Sequence, residues 1–293
     1  MPNPLVVSSI AVFAHNEERN ILSCLESLHA AGCSDCPIYV LINGSVDRTF
    51  ELVERYSARY PHIVPVRIEH GDKANAWNIF THVYADPLGV SIFMDGDVRA
   101  DPTAIRELVA ALERHPDAHV ASAVPASGRH RDQQLQEILR DHGVQGNLYA
   151  VRGNFLARIR AAGVHMPIGF VREDGLIGAL AAWDLDPQSH AWDRERIIPV
   201  VTSLFHFDPL NIVNWRDMRL YCRRRVRYSR GRFENMLLRE VLKSQGPAKM
   251  PPTVQGLYAR SAQACRLSWR GLDTLFDWLA LRQIRPWQSE NPD

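Results

Sequence analysis

Long apolar runs are missing from this sequence: no window holds the roughly 18 consecutive apolar residues that a membrane-spanning helix needs. The opening Met1-Pro2-Asn3-Pro4 lacks the positive region and apolar stretch of a secretory signal. A cytoplasmic location is the resulting expectation. Cysteine is sparse as well. Cys24, Cys33, Cys36, Cys222 and Cys265 are odd in number and scattered, and read most simply as free thiols. Cys33-Ser34-Asp35-Cys36 has redox or zinc spacing, yet no second ligand pair accompanies it, so it reads as a chance pair. Lysine is nearly absent: Lys73, Lys243 and Lys249 are the only three in an arginine-rich chain. The glycine loops GxGxxG and GxxxxGK[ST], which cradle nucleotide phosphates, do not occur.

What is present is the composition of an ordinary globular protein, with 293 residues, 46% of them hydrophobic and 23% charged. That length suits one large α/β domain or a domain with an appendage. The net charge of +1 hides an asymmetry, because residues 211–293 hold 14 Arg and 2 Lys against 7 acids, a balance of +9. A basic C-terminal third suits an anionic partner such as a membrane surface or a lipid phosphate, and equally a solvated set of arginine-rich helices. No nucleic-acid partner is expected.

Strand and helix patterns alternate through the first half, which predicts a mostly parallel sheet flanked by helices. Val6–Ala14, Ile38–Ile42, Ile63–Ile68, Val90–Met94 and Val120–Val124 read as strands. Asn16 is expected to cap a helix carrying Ile21, Leu22, Leu25 and Leu28, and Asp47, Gly71-Asp72 and Asp101-Pro102-Thr103 precede three more. Ser127–Asp132 is polar and reads as a loop. Leu148–Ile159 reads as extended, Glu173–Trp183 as helical, and Ile197–Phe207 as a strand closed by Asp208-Pro209. From Trp215 onward helices follow, broken near Gly246-Pro247 and Pro251-Pro252. The division expected is 1–210 for the α/β domain and 211–293 for a basic helical region.

The most informative stretch is Met94-Asp95-Gly96-Asp97-Val98, where a buried strand pattern stops at two carboxylates. Acids this close repel unless a cation sits between them, and oxygen ligands suit Mg²⁺ or Mn²⁺. On their own these residues fit a solvated strand-end turn equally well. They are, however, the last of four polar clusters at successive strand ends, after Asn16-Glu17, Asn43-Gly44-Ser45 and Gly71-Asp72-Lys73. Such a row along one rim of a sheet is the layout of a nucleotide site.

These clusters resemble the motifs of family-2 inverting glycosyltransferases of the GT-A fold, over about Val6 to Phe207. Ala14-His15-Asn16-Glu17-Glu18 is similar to the family's "YNEE" strand end, and Asn43-Gly44-Ser45-Val46-Asp47-Arg48-Thr49 to its "DGSxDxT" turn. Gly71–Asn78 is similar to "GKxxALN", Asp95-Gly96-Asp97 to the metal-binding "DxD", and Glu173-Asp174 to the acidic pair that supplies the base. The resemblance implies a GT-A sheet followed by a helical C-terminal region, and transfer of sugar from a UDP- or GDP-sugar, in polysaccharide or glycolipid biosynthesis. Asp97 with Asp95 would hold Mn²⁺ or Mg²⁺, with His206 as a further ligand; a histidine between phenylalanines is equally a satisfied core residue. Asp174 would deprotonate the acceptor hydroxyl. Ala14, Asn16, Glu17, Asn43, Ser45, Lys73, Gly96, Arg152, Gly153 and Glu173 would line the donor site.

Two departures from the pattern matter. Asn43 stands where the family usually has the aspartate that reads uracil, which puts the nucleobase in doubt. Arg224-Arg225-Val226-Arg227-Tyr228 resembles the "QxxRW" segment of processive synthases, making Arg227 and Tyr228 secondary site candidates. Processive relatives carry membrane helices, so transfer of one or a few sugars is expected. Leu267, Trp269, Leu272, Leu275, Phe276, Leu279 and Ile284 form an apolar stripe that suits an interfacial membrane helix, a packed helix or a homodimer contact; Asp273 and Asp277 favour packing. Two further readings are a sugar-nucleotide pyrophosphorylase, which would need a glycine-rich loop after the first strand, and a non-catalytic binding protein that keeps the fold.

Overall fold

The architecture comes from a computed structural model, which describes residues 5–128, 131–208, 215–259, 265–271 and 273–288. Its centre is an eight-stranded sheet. The strands are β1 (Val7–Ala14), β2 (Ile38–Asn43), β3 (Ile63–Ile68), β4 (Val90–Asp95), β5 (Val98–Ala100), β6 (Val120–Pro125), β7 (Leu148–Arg152) and β8 (Ile197–Phe207). Their spatial order is β3-β2-β1-β4-β7-β6-β8-β5. The pairs β1–β2, β1–β4, β2–β3 and β6–β8 are parallel, and β4–β7, β6–β7 and β5–β8 antiparallel.

The central strands β1 and β4 are covered on both faces, which is why they read as continuous apolar runs rather than as alternating ones. Successive side chains still point to opposite faces. Ile10, Val12 and Ala14 pack with α1 (Ile21–Ala30), through Cys24, Leu25 and Leu28, and with Leu108 of α4 (Ala104–Arg114). Ala11, Phe13 and Phe93 point the other way, onto Trp77 and onto Phe155 of α6 (Gly153–Ala161). Phe93 stacks between Trp77 and Tyr149, with ring centroids at 6.0 and 4.9 Å. The same face receives the last helices, α8 (Trp215–Gln245), α9 (Val254–Ala259) and α10 (Asp273–Gln288), through Phe233, Leu237, Leu257, Ala280 and Ile284. The remaining helices are α2 (Thr49–Arg59), α3 (Lys73–Ile79, continued by a π-helical turn to Tyr84), α5 (Arg131–Asp141) and α7 (Glu173–Ala182). Among the described residues no helix is long and apolar enough to cross a membrane.

Several expectations are corrected. Asn16 does not cap α1: the helix starts at Ile21 and Asn16 has φ 58°, a conformation asparagine tolerates better than most residues. The extended reading of Leu148–Ile159 fails after Arg152, where α6 begins, because Phe155, Leu156 and Ile159 recur at helical spacing and are buried. The loop reading of Ser127–Asp132 misses the start of α5 at Arg131; residues 129–130 lie outside the described residues. Leu272 and Pro209 also lie outside them. The C-terminal apolar stripe divides, since α10 starts only at Asp273: Ile284 is buried, while Leu267, Trp269 and Leu275 are exposed.

Candidate active site

The parallel strands β1, β2, β3 and β4 end on one rim, and their end loops are tied together there. Asn16 N–H donates to Ser45 Oγ (2.9 Å), Val46 N–H to Asn16 Oδ1 (2.9 Å), Glu17 N–H to Thr49 Oγ1 (2.8 Å) and Glu18 N–H to Asp47 Oδ2 (3.0 Å). The first and second loops thus satisfy each other's backbone groups, which water would otherwise have to reach. His15 Nδ1 donates to the Asn43 carbonyl (2.6 Å), because a carbonyl oxygen can only accept. Its Nε2 then accepts from Asn16 Nδ2 (3.2 Å) and holds Asn16 in place. Gly44, at φ 62°, lies so close to Gly71 that a Cβ would come within 2.5 Å of the Gly71 backbone. Only glycine fits that contact, and it closes the second loop on the third.

Asp72 starts α3. Its Oδ1 accepts from Asn75 N–H (2.6 Å) and its Oδ2 from Gly169 N–H (2.7 Å), capping the helix and anchoring the segment before α7. The cap fixes Lys73 in the first turn. Lys73 Nζ stands 2.6 Å from Asp95 Oδ1 and 2.8 Å from Glu173 Oε1. One lysine therefore joins the end of β4 to the first residue of α7. Burial alone would lower its pKa, but Asp95 and Glu173 outweigh burial and raise it well above the usual value, so it stays charged.

The acids nearby gather negative charge. Burial pushes the Asp95 carboxyl up to about 6, with Lys73 opposing the shift and Asp97 and Glu173 adding to it. Burial pushes Glu17 up to about 7; its bond from Asn20 pulls the other way, and Asp97 and Asp95 raise it further. Glu173 is 6% exposed, and its Oε2 has no hydrogen-bond partner among the described residues. Asp174 sits beside it, with its pKa raised by burial first and then by Glu173, against Arg172 and Lys73. Asp174 Oδ1 accepts from Gly175 N–H (2.7 Å). Gly146 covers the other oxygen: a Cβ there would be 3.4 Å from Asp174 Oδ2 and 3.2 Å from its Cβ. The next residue, Asn147, accepts from Asp95 N–H through its carbonyl (3.0 Å). Gly146 and Asn147 thus connect the two acidic turns. The Gly-Asn pair just before an apolar strand was the available signal for that turn.

Asn43 is buried, and its Nδ2 donates to the carbonyls of Ala14 (3.1 Å) and Leu41 (3.3 Å). Gly96 N–H donates to Phe13 O at 2.8 Å, and a Cβ on Gly96 would meet that oxygen at 3.0 Å and the Ala14 Cβ at 3.3 Å. The "DxD" turn is thereby seated on the end of β1.

Arg152 and Gly153 lie elsewhere. Arg152 pairs with Val90 at the start of β4, the end of the sheet away from Asp95, and its guanidinium caps the carbonyls of Leu112, Ala118 and His115. Gly153 packs against the backbone of Asp86 and Pro87 there. Neither residue approaches the rim, because β7 runs antiparallel to β4. His206 is 45% exposed on its side chain, so it is no core residue; it pairs with Arg99 across the strands and its Nε2 lies 3.4 Å from Asp101 Oδ2. Among the described residues no group of three His, Cys, Asp or Glu is arranged to hold a metal. Arg227 and Tyr228 are exposed on α8. One turn further on, Gly231 lies against the Arg172 side chain, with its absent Cβ 2.6 Å from Arg172 Cγ, and Asn235 approaches Gly175. The helix thus passes directly over the acidic turn. A cleft of about 440 Å³ opens at the opposite end of the sheet between Val7, Cys33, Cys36 and Val109, and holds none of the rim side chains.

Residues 9–172 match the family model described as glycosyl transferase family 2. No curated protein matches the chain. Its fold is similar to that of a mannosyltransferase from Pyrobaculum calidifontis in complex with GDP-Man and Mn²⁺, at 16% identity and TM-score 0.58 over 98% of this chain and 87% of that one. A glucosyl-3-phosphoglycerate synthase from Mycobacterium tuberculosis, in complex with Mn²⁺, UDP-glucose and phosphoglyceric acid, aligns at 18% identity and TM-score 0.50 over 74% of this chain and 77% of that one. S. aureus TarS aligns at 13% identity and TM-score 0.50 over 97% of this chain and 55% of that one. At these identities the structures speak for the fold. The family match covers more than half of the chain and includes the rim of β1 to β4, the Lys73 contact with Asp95 and the turn before Glu173: the protein belongs to glycosyl transferase family 2.

Proposed function

We propose that the protein moves a sugar from a nucleoside-diphosphate sugar to an acceptor hydroxyl with inversion at the anomeric carbon, aided by Mn²⁺ or Mg²⁺, in polysaccharide or glycolipid biosynthesis. The observation that carries this reading is the Lys73 bridge, which brings the Asp95 turn and the Glu173-Asp174 turn to one point on the rim. Residues 1–210 would carry the transfer chemistry, and 211–293 would serve the acceptor side, a surface or a packing role.

Asp95 and Asp97 are the residues that would hold the cation. Their surroundings fit one: Glu17 is pushed up by its acidic neighbours after burial, and Lys73 is the cation bonded to Asp95. Two carboxylates without a full protein cage are the usual site for a Mg²⁺-like ion that shares its shell with substrate phosphates. When bound, such an ion supplies Lewis-acid stabilisation of the charge on the departing diphosphate.

Asp174 takes the acceptor proton. Burial raises its pKa, which makes it a stronger base than a solvated aspartate, and its Oδ1 is oriented by Gly175 N–H. Lys73 holds Glu173 and Asp95 in place. Asn43 spends its Nδ2 on Ala14 and Leu41, which leaves Oδ1 to accept an N–H from a base edge. Uracil and guanine both offer such a donor, which is compatible with a UDP- or a GDP-sugar. Neighbours of the same fold bind one or the other.

Thermal shift with UDP-, GDP- and CDP-sugars, with and without Mn²⁺, tests the donor class. One class is expected to stabilise the protein only with the metal and to be turned over to free nucleoside diphosphate. The reading fails if no sugar nucleotide binds, or if Asp97→Ala and Asp174→Ala both retain full turnover.

A further inference from the structure

The acids that made the C-terminal apolar stripe look like a packing face are turned inward. Asp277 is fully buried against α8, 2.8 Å from Arg232 Nη2, with Arg270 Nη1 at 3.3 Å. Asp273 pairs with Arg225, also of α8. These are the only acids of α10. Its inner face, with Asp277, Ala280, Leu281 and Ile284, is therefore spent on the protein.

The outer face carries a different set. Leu275, Trp278, Arg282 and Arg285 recur at spacings of three and four, so they lie along one side of the helix. Leu275 is 58% exposed and Trp278 40% exposed. Arg282 lies over the Trp278 ring at 4.9 Å from its centroid, which keeps the cation beside the aromatic instead of in bulk water. Just before the helix, Arg266 and Leu267 are exposed and Trp269 is 85% exposed. Large apolar side chains interleaved with arginine, with no acid among them, are costly to leave in water.

We infer that this outer face of α10, with the segment Arg266–Trp269, docks on an anionic lipid bilayer surface. Charge complementarity selects that occupant. Residues 211–293 carry a balance of +9 with all seven acids counted, and the two acids of α10 are paired toward α8, away from this face. A second copy of the chain fits poorly, because a twofold contact would set Arg282 and Arg285 against themselves with no acid opposite. Tryptophan and leucine suit the boundary between headgroups and acyl chains, and arginine suits anionic headgroups. The inference does not rest on the transferase reading, since docking is read without turnover.

The test is co-sedimentation of the full chain with vesicles of phosphatidylcholine alone or mixed with phosphatidylglycerol, at low and high salt. Binding is expected only to the mixed vesicles, and weaker in high salt. Arg282→Gln with Arg285→Gln should lower partitioning roughly 30-fold. Trp269→Ala with Trp278→Ala should also lower it, with far-UV circular dichroism unchanged because these side chains are exposed. The inference is overturned by no binding to anionic vesicles, or by equal binding of the arginine variant. It is overturned too by tight heparin binding that the tryptophan variant leaves intact with vesicle binding unchanged, the mark of a polyanion site. A dimer in sedimentation velocity that the same variants dissociate would assign the face to a second copy.

Discussion

Lys73 and Glu173, far apart in the chain, meet at 2.8 Å on a buried surface, and the same ammonium holds Asp95 at 2.6 Å. Removing one member of such a group leaves uncompensated buried charge. Lys73→Met is expected to cost about 3–5 kcal/mol, the range for breaking a buried ion pair from one side. Adding Glu173→Gln should recover part of that stability, because the carboxylate left behind is then neutral, while transfer stays impaired. Urea unfolding of the single and double variants reads the coupling. Equal stability of Lys73→Met and wild type would show that the bridge carries no folding energy.

The two acidic turns should separate by function. Asp97→Asn is expected to abolish the Mn²⁺-dependent part of sugar-nucleotide affinity, read by calorimetry with and without the metal. Asp174→Asn should keep that affinity and lose turnover by roughly 10²–10⁴-fold, the usual contribution of a general base. A variant at Asp174 that lost donor binding and kept turnover per bound donor would reverse the assignment.

Gly146 offers a finer test of how Asp174 is placed. A methyl group at 146 would stand 3.2 Å from Asp174 Cβ, so one of the two must yield by a few tenths of an ångström. Gly146→Ala is expected to lower kcat about 3–10-fold with little change in KM for the donor, since small displacements of a reacting group are costly. Gly143→Ala is the control, because a Cβ there meets nothing within 4 Å. If both variants behave alike, the close approach to Asp174 has no bearing on rate.

Much of this was legible in the residues. The strands β1 to β4 showed themselves because an apolar run buried on both faces must stop where the chain turns polar, and each stop proved to be a rim loop. The family match bears out the resemblance on which the transferase reading stood. What stayed hidden depends on tertiary neighbours. α5 was missed because it is polar, with Ile138 its one buried residue, and such a helix lacks the periodic signal. Arg152 looked like a site residue since nothing local reveals that β7 runs antiparallel to β4 and carries it to the far end. The inward pairing of Asp273 and Asp277 needs α8 beside α10, which no spacing within α10 discloses.

Acid lability should centre on Asp184, remote from the rim. Its Oδ1 takes Arg158 Nη1 at 2.6 Å, His119 Nε2 at 2.7 Å and Arg196 Nη1 at 3.1 Å. Burial raises its pKa, but the bonds from Arg158 and His119 outweigh burial and hold it down at about 2. A carboxyl depressed on folding contributes stability above its unfolded value near 4, and that stability is lost as pH falls from there through about 2. The depression corresponds to about 2–3 kcal/mol. His119 acts in the same direction at higher pH: burial, with help from Arg196 and Arg158, lowers its pKa despite Asp184, so its share fades as pH drops below the ordinary histidine value. Against the gain that the raised Glu17 and Asp95 contribute as pH falls below 7, urea unfolding should resolve two losses, an upper stage below about pH 6.5 from His119 and a lower stage below about pH 4 from Asp184. Asp184→Asn should remove the lower stage, and at neutral pH it should be less stable by a similar 2–3 kcal/mol, roughly the worth of the shift. Parallel pH profiles for the variant and the wild type would show that Asp184 is not the group being titrated.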